Sequence, residues 1–217
     1  MKLGLVTPAI ADIFPGTLAA LGLVSAIHES KTSGKGQFLD VSMYDAMLAF
    51  QKSAVAQYSF TGKPNPSGLQ KAMTLYPFDL FPAKDGQVSI AVGQPHHWDL
   101  LCAAMERGDM INDDRSATNT ARLKNVEWVE EQICAWTSKL TRAEIMAKLD
   151  GSLPAGPVQN MSDIFQDEHV AARAMLDKCN PGGDNPDISL AASPIKFSRS
   201  KTSLYQSPPT LGEHNKE

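Results

Sequence analysis

Gly62, Pro64, Asn65, Pro66, Ser67 and Gly68 crowd one short stretch of the chain. Proline brings no backbone donor, and glycine and asparagine favour turn conformations, so neither a helix nor a central strand runs through such a stretch. Residues 62–74 therefore read as a loop or linker and as the first boundary between structural units. A second stretch, 180–193 with Pro181, Gly182, Gly183 and Pro186, reads the same way. At 217 residues the chain suffices for one large domain or two small ones.

Between these breaks the apolar periodicity alternates between helical and extended. Leu18, Leu21, Val24 and Ile27 fall near one face of a helix predicted over 13–31, with Pro15 in its first turn and Gly34 and Gly36 ending it. Gln37 to Met43 alternates in side-chain character and predicts a strand. A helix follows to about Thr61, with Ser42 and Asp45 spaced as a capping box. Beyond the first linker, Tyr76–Phe81 and Val88–Gly93 flank Asp85-Gly86, which predicts a hairpin with a loop longer than the tightest type. Helices are predicted at 95–107, around 119–138 and at 141–150, the last with Thr141 and Glu144 as a capping box and Gly151 as its stop. Residues 154–158 read as extended, 162–177 as two short helical pieces, and Ile195 to Phe197 as a short strand. The tail from Gln206 is polar and proline-rich.

The fold class is thus α/β. Hydrophobic content of 42%, charged content of 20% and a net charge of −4 describe an ordinary globular chain without the basic footprint of a nucleic-acid binder. Cys102, Cys134 and Cys179 fit no metal or redox spacing and read as reduced cytosolic thiols. Lys2, the apolar Leu3–Val6 run and Ala9-Ile10-Ala11 mimic a secretory leader, but the run is short and broken by Gly4 and Pro8. No apolar run approaches the roughly 20 residues of a membrane span. The expected location is cytoplasmic.

Few residues carry chemistry on their own. Asp12 stands at the mouth of the first helix, where a carboxylate serves as a cap or as an anion favoured by the helix dipole and aimed outward as a nucleophile. Both readings stay open. His96 and His97 are adjacent and point apart, unlike an i, i+4 metal pair, and His28, His169 and His214 are isolated. Ser33-Gly34-Lys35-Gly36-Gln37 lacks phosphate-loop spacing and runs from helix to strand, the reverse of a phosphate loop, so it is a turn. Glu127, Glu130 and Glu131 around Trp128 form a solvated helix face.

An ordered set of motifs adds to this. Asp12-Ile13-x-x-Gly16, Ala20-Leu21-Gly22-Leu23-x-x-Ala26-Ile27 and Gly34-Lys35-Gly36-Gln37-Phe38-Leu39-Asp40-Val41-Ser42-Met43-x-Asp45-Ala46 are followed by Tyr76-Pro77-Phe78 with Asp85-Gly86. Then come Leu153-Pro154-Ala155-Gly156-Pro157-Val158, Ser193-Pro194-Ile195-Lys196-Phe197, and Pro209-x-Leu211-Gly212-Glu213-His214. In this order they resemble the family III CoA-transferases, which include formyl-CoA, carnitine and succinyl-CoA transferases and the related acyl-CoA racemases.

The resemblance implies the later part of a family member. It implies a catalytic-aspartate helix, strand and crossing helix of a Rossmann-like large domain at 1–62, a small α+β domain at 70–175, and a return segment toward the large domain at 190–217. Asp12 aligns with the nucleophilic aspartate, and Met43 with a position packed against CoA, for which core packing is the alternative. CoA and acyl-CoA enter as substrates, no cofactor is permanently bound, and no metal is implied. A small carboxylic acid is the second substrate. The expected partners are a second copy in a homodimer or a separate first half of the family fold; no nucleic acid and no membrane are expected. Where the racemases usually show a Glu-Pro pair this chain has Gln94-Pro95, and Gln cannot ionise, which favours transfer over racemisation. Only Gly68 stands where some transferases carry a glycine-rich closing loop. A non-enzymatic remnant or interaction module is the rival from another class.

Overall fold

The computed structural model describes residues 9–63, 74–181, 186–202, 207–209 and 211–215. The leader-like residues 1–8, the linker residues Pro64 to Gly68, Gly182, Gly183 and Gln206 lie outside that set. Chain contacts divide the protein into two compact units, Met1–Lys71 and Ala72–Glu217, here unit 1 and unit 2.

Unit 1 is helical among its described residues: α1 (Ile10–Ser33), α2 (Met43–Phe50) and α3 (Lys52–Thr61). Helix α1 begins three residues before the expected start, because Ile10 and Ala11 extend the apolar helical run. Pro15 therefore lies inside the helix and not in its first turn. It deprives the Ala11 carbonyl of its helical donor, at a position that is buried. The helix ends where Gly34 adopts the left-handed conformation (φ 73°) and returns its N–H to the Ser30 carbonyl at 2.9 Å. Residues 35–42 form no strand among the described residues, contrary to the alternation at 37–43. Alternation places side chains, but a strand also needs a neighbour to accept and donate its backbone bonds, and the described residues of unit 1 offer none there.

Ser42 caps α2 by accepting the Asp45 N–H at 3.2 Å, and the predicted single helix breaks at Gln51. Helices α1 and α2 meet through Phe14 and Phe50, whose rings lie edge to face at 5.2 Å. The Leu39 side chain folds over Gly22, where an added Cβ would come within 3.0 Å of it.

Unit 2 is built on strands β1 (Phe78–Ala83), β2 (Gly86–Ala91) and β3 (Ala155–Pro157), antiparallel in the order β1-β2-β3. The Ala83↔Gly86 pairing leaves Lys84-Asp85 as a two-residue turn, tighter than expected, with Gly86 at φ 147° opening β2. Phe81, Val88 and Ile90 point to the buried face; Phe78 and Leu80 stay exposed on the other. Helices α4 (Pro95–Ala104), α5 (Asn119–Lys124), α6 (Val126–Thr137) and α7 (Arg142–Leu149) follow. Trp98, Leu101, Val129, Ile133, Ile145 and Leu149 from these helices close the core. Each such side chain removed from water contributes about 1.5–3 kcal/mol.

The helix predicted around 119–138 is two helices, broken at Asn125. Short helices α8 (Met161–Phe165) and α9 (Glu168–Ala172) come next, then β4 (Leu176–Cys179) pairs antiparallel with β5 (Ile188–Ala191). The strand expected at Ile195–Phe197 is absent, and β5 lies instead within the stretch read as linker. Its Ile188 pairs with Cys179 and its Leu190 with Asp177, a pairing that the breakers between the two strands conceal.

Arg142 fastens three of these parts. Its backbone N–H donates to Asp85 Oδ1 at 2.7 Å, and its guanidinium donates to Asp163 Oδ2 at 2.9 Å and to the Val158 carbonyl at 2.6 Å. The side chain lies over Gly86, where a Cβ would meet Arg142 Cδ at 3.3 Å. The Arg142 side-chain bond is the first cause that holds the Asp163 carboxyl below its ordinary range. For Asp85 the first cause is the Arg142 backbone N–H. Both carboxylates favour the fold above the unfolded carboxylate value of ~3.9, and that contribution is lost as pH falls below it. In an Arg142→Leu variant, the Asp163 titration midpoint followed by carboxyl NMR should rise toward ~3.9, whereas Asp85, whose backbone donor survives, should keep most of its depression.

Candidate functional site

Asp12 is the third residue of α1, within its first turn, and its side chain is exposed. The N-cap position belongs to Ala9, which has no side-chain capping bond, and the Asp12 N–H donates to the Ala9 carbonyl at 3.0 Å. The capping alternative for Asp12 is therefore not realised. Its carboxylate makes no hydrogen bond or ion pair among the described residues. What remains is an acid group at the positive end of a 24-residue helix, open for contact.

Met43 opens α2 and is half exposed, so core packing within unit 1 does not account for it. Among the described residues of unit 1 only Pro15 and Ala46 are buried. Leu21, Val24, Tyr44 and Val55 stand largely open, and Phe38 and Phe60 are each 92% exposed. Helix α1 is also long and apolar enough, by length and composition, to cross a membrane, contrary to the expectation from the sequence. Alanines and glycines between its larger residues dilute the run to the eye, yet no charge interrupts it from Ile13 to Ala26.

Other candidates separate in unit 2. The His96 and His97 rings meet edge to face at 4.4 Å, and no cluster of metal-ligating side chains occurs among the described residues. Gln94 takes the N-cap position of α4 in extended conformation without a side-chain capping bond. All three cysteines are free thiols. Burial pushes the Cys102 thiol up to about 12, so it stays protonated and inert at neutral pH. Burial likewise pushes the Tyr76 hydroxyl well above the usual phenol range, and that hydroxyl has no partner among the described residues. Ser33–Gln37 is a helix stop followed by irregular chain, without the strand expected after it.

Two arginines escaped the sequence reading. Arg122 is buried, and Arg142 joins the hairpin turn to α7 and α8. Neither stands in a motif; Arg122 reaches Tyr76, 46 positions back, and Arg142 reaches Asp85, 57 positions back, so no local pattern marks these contacts.

The sequence profile of CoA-transferase family III matches residues 4–215. The succinyl-CoA:mesaconate CoA-transferase of Haloarcula hispanica is 37% identical over 212 residues, covering 98% of this chain and 53% of that protein. The succinate–glutarate CoA-transferase of Agrobacterium fabrum is 29% identical, covering 99% of this chain and 53% of that protein. The crystal structure of a CAIB/BAIF family protein from Brucella suis superposes with a TM-score of 0.78 at 28% identity, over 99% of this chain and 56% of that one. The chain thus spans about half the length of the relatives it matches.

Because the Asp12 side chain caps nothing, its removal tests the geometry directly. Asp12→Asn should preserve the helical circular dichroism and change unfolding free energy in urea by no more than ~1 kcal/mol, the scale of a first-turn dipole contribution.

Proposed function

The chain belongs to CoA-transferase family III, and from that premise we propose that it carries the nucleophile of a transferase that moves CoA between an acyl-CoA and a carboxylic acid. The observation that supports this most is Asp12: an exposed carboxylate, with no partner among the described residues, in the first turn of the long helix α1. The relatives named above act on succinyl-CoA, mesaconate, succinate and glutarate, so short dicarboxylic acids are the proposed acyl groups.

The proposed chemistry is covalent. An Asp12 carboxylate oxygen attacks the thioester carbonyl, the C–S bond breaks, and CoA leaves as thiolate from an acyl-aspartyl anhydride. The thiolate then attacks Asp12 Cγ and releases the first acid, which leaves an aspartyl-CoA thioester. The incoming carboxylate attacks Cγ in turn, expels the thiolate and forms a second anhydride. Attack of the thiolate on the new acyl carbonyl yields the second acyl-CoA and restores Asp12. Each step exchanges one acyl bond for another, which is the advantage of a covalent route. CoA is substrate throughout, and no resident cofactor is needed. Met43 is the proposed contact for CoA in unit 1.

An anhydride exposed to water hydrolyses, so Asp12 needs cover during turnover. Unit 1 also leaves Leu21, Val24, Phe38 and Phe60 open, more apolar surface than a chain keeps bare. We propose one occupant for both needs: a polypeptide carrying the part of the family fold that these 217 residues do not span. The chemistry is that of a cytoplasmic enzyme with reduced thiols. Gln94 in place of an acid argues against the racemase alternative.

The test is trapping. The chain, co-expressed with a polypeptide carrying the remaining family fold, is incubated with succinyl-CoA and hydroxylamine. The expected result is an aspartyl hydroxamate at Asp12, found by peptide mass spectrometry, and a loss of transfer in Asp12→Asn of order 10³-fold or more. Absence of the hydroxamate in that assembly would remove the transferase reading. A stable complex of two copies of this chain that is active without the added polypeptide would instead remove the proposed occupant.

A further inference from the structure

Unit 2 holds a buried cation beside an open cavity. Arg122 is 3% exposed, and its guanidinium stacks over the Trp98 ring, 4.7 Å from the centroid. Its Nε–H donates to the Tyr76 carbonyl at 2.7 Å and Nη1 donates to the Ser116 carbonyl at 2.8 Å. A guanidinium has five N–H groups. Nη2 and the second N–H of Nη1 are left without a hydrogen bond among the described residues, and no carboxylate forms an ion pair with Arg122 there. Buried charges are ordinarily paired, because an uncompensated one costs several kcal/mol. Asp99 attracts the guanidinium only from beyond contact distance, and burial lowers its proton affinity.

Arg122 lines a cavity of about 340 Å³ together with Leu75, Val92, Gln94, Ala117 and Thr118. That volume lies within the ~300–1,000 Å³ of small-molecule pockets. The N-terminus of α4 opens onto the same space. Its N-cap Gln94 supplies no capping bond, and its first residue is Pro95. A ten-residue helix presents its positive end to the cavity that Arg122 also lines. The Asn119 amide, bonded to the Tyr76 N–H at 3.0 Å and the Thr74 carbonyl at 2.8 Å, fixes one wall.

We propose that this cavity binds a small carboxylate anion, held by the buried guanidinium of Arg122 at the uncapped N-terminus of α4. A carboxylate matches the free Nη edge in planarity and charge, one anion to one cation. Leu75, Val92 and Pro95 add apolar wall for a short carbon chain. A phosphate would bring nearly two charges against one guanidinium. The Thr118 hydroxyl already accepts the Ala121 N–H at 3.1 Å and keeps its own proton to donate. None of these residues is Asp12, and binding here needs no covalent step.

The test is calorimetric titration of the 217-residue chain with succinate at fixed ionic strength, with sodium chloride and inorganic phosphate as parallel titrants. Expected is one saturable succinate site that neither chloride nor phosphate fills. In Arg122→Gln the affinity should fall at least tenfold. That variant also loses hydrogen bonds to two carbonyls, so Ala117→Glu carries the test where Arg122→Gln does not fold. Ala117 is exposed at the cavity, and a glutamate there supplies an internal carboxylate; circular dichroism should stay unchanged while succinate binding disappears. No saturable binding to the wild-type chain, undiminished binding to Ala117→Glu, or equal binding of phosphate would each overturn the proposal.

Discussion

In unit 2 the guanidinium of Arg122 sits where several chain segments would otherwise leave carbonyls without donors. It satisfies Tyr76 just before β1 and Ser116 just before α5, and it stacks on Trp98 from α4. Trp98 in turn donates Nε1–H to the Met110 carbonyl at 3.3 Å, which also accepts the Ser116 hydroxyl at 2.6 Å. One cation therefore organises the end of the sheet, the irregular stretch after α4 and the start of α5. Hydrogen bonds to buried carbonyls are expensive to leave unmade, which makes this a constraint on the core and not an ornament of it. The charge is used structurally through two carbonyls, and carbonyls do not neutralise it.

Unit 1 faces the opposite problem. Its helices are well formed locally, with a glycine stop on α1 and a serine cap on α2, but they bury almost nothing among the described residues. Local signals decide where a helix begins and ends; burial decides whether it stays folded. A helix as apolar as α1, with large side chains exposed along its length, is an element made to be covered. That it also satisfies the length and composition of a membrane span reflects the same physics, since lipid and protein interior ask for the same residues.

Legibility follows the range of the interactions. The Thr141–Glu144 box was readable because both bonds are made within one turn, and both are present. The hairpin was readable from its flanking runs, but the tight turn was not. Asp85-Gly86 looks like its centre, whereas Gly86 is the first residue of β2 and the Asp85 carboxylate is taken by Arg142, 57 positions on. The expected strand at 37–43 has no partner among the described residues, and β5 was missed because its partner β4 lies behind a run of breakers. The early start of α1 came from Ala9–Ala11, a segment that resembled the end of a leader. For the site, position and residue type brought Asp12 to notice and left two roles open; the family resemblance pointed to the nucleophile, and the geometry removed the cap. Arg122 and Arg142 were invisible because each ties its helix to a strand or turn distant in sequence, Arg122 to Tyr76 and Arg142 to Asp85.

These contrasts bear on how the proposed chemistry divides between the units. A nucleophile that works through anhydrides needs an approach path for a large thioester and then exclusion of water, and a rigid, self-buried surface serves the first need poorly. Asp12 stands on an element whose large apolar side chains remain open around the acid's own helix, so a covering surface that seals the site would gain its binding energy from the same residues. Unit 2 is built the other way, with a closed core, tethered turns and a cavity that Arg122 lines. In the proposed mechanism, burying α1 and drying Asp12 would be one event: the apolar contacts that cover unit 1 would also shelter the proposed anhydride.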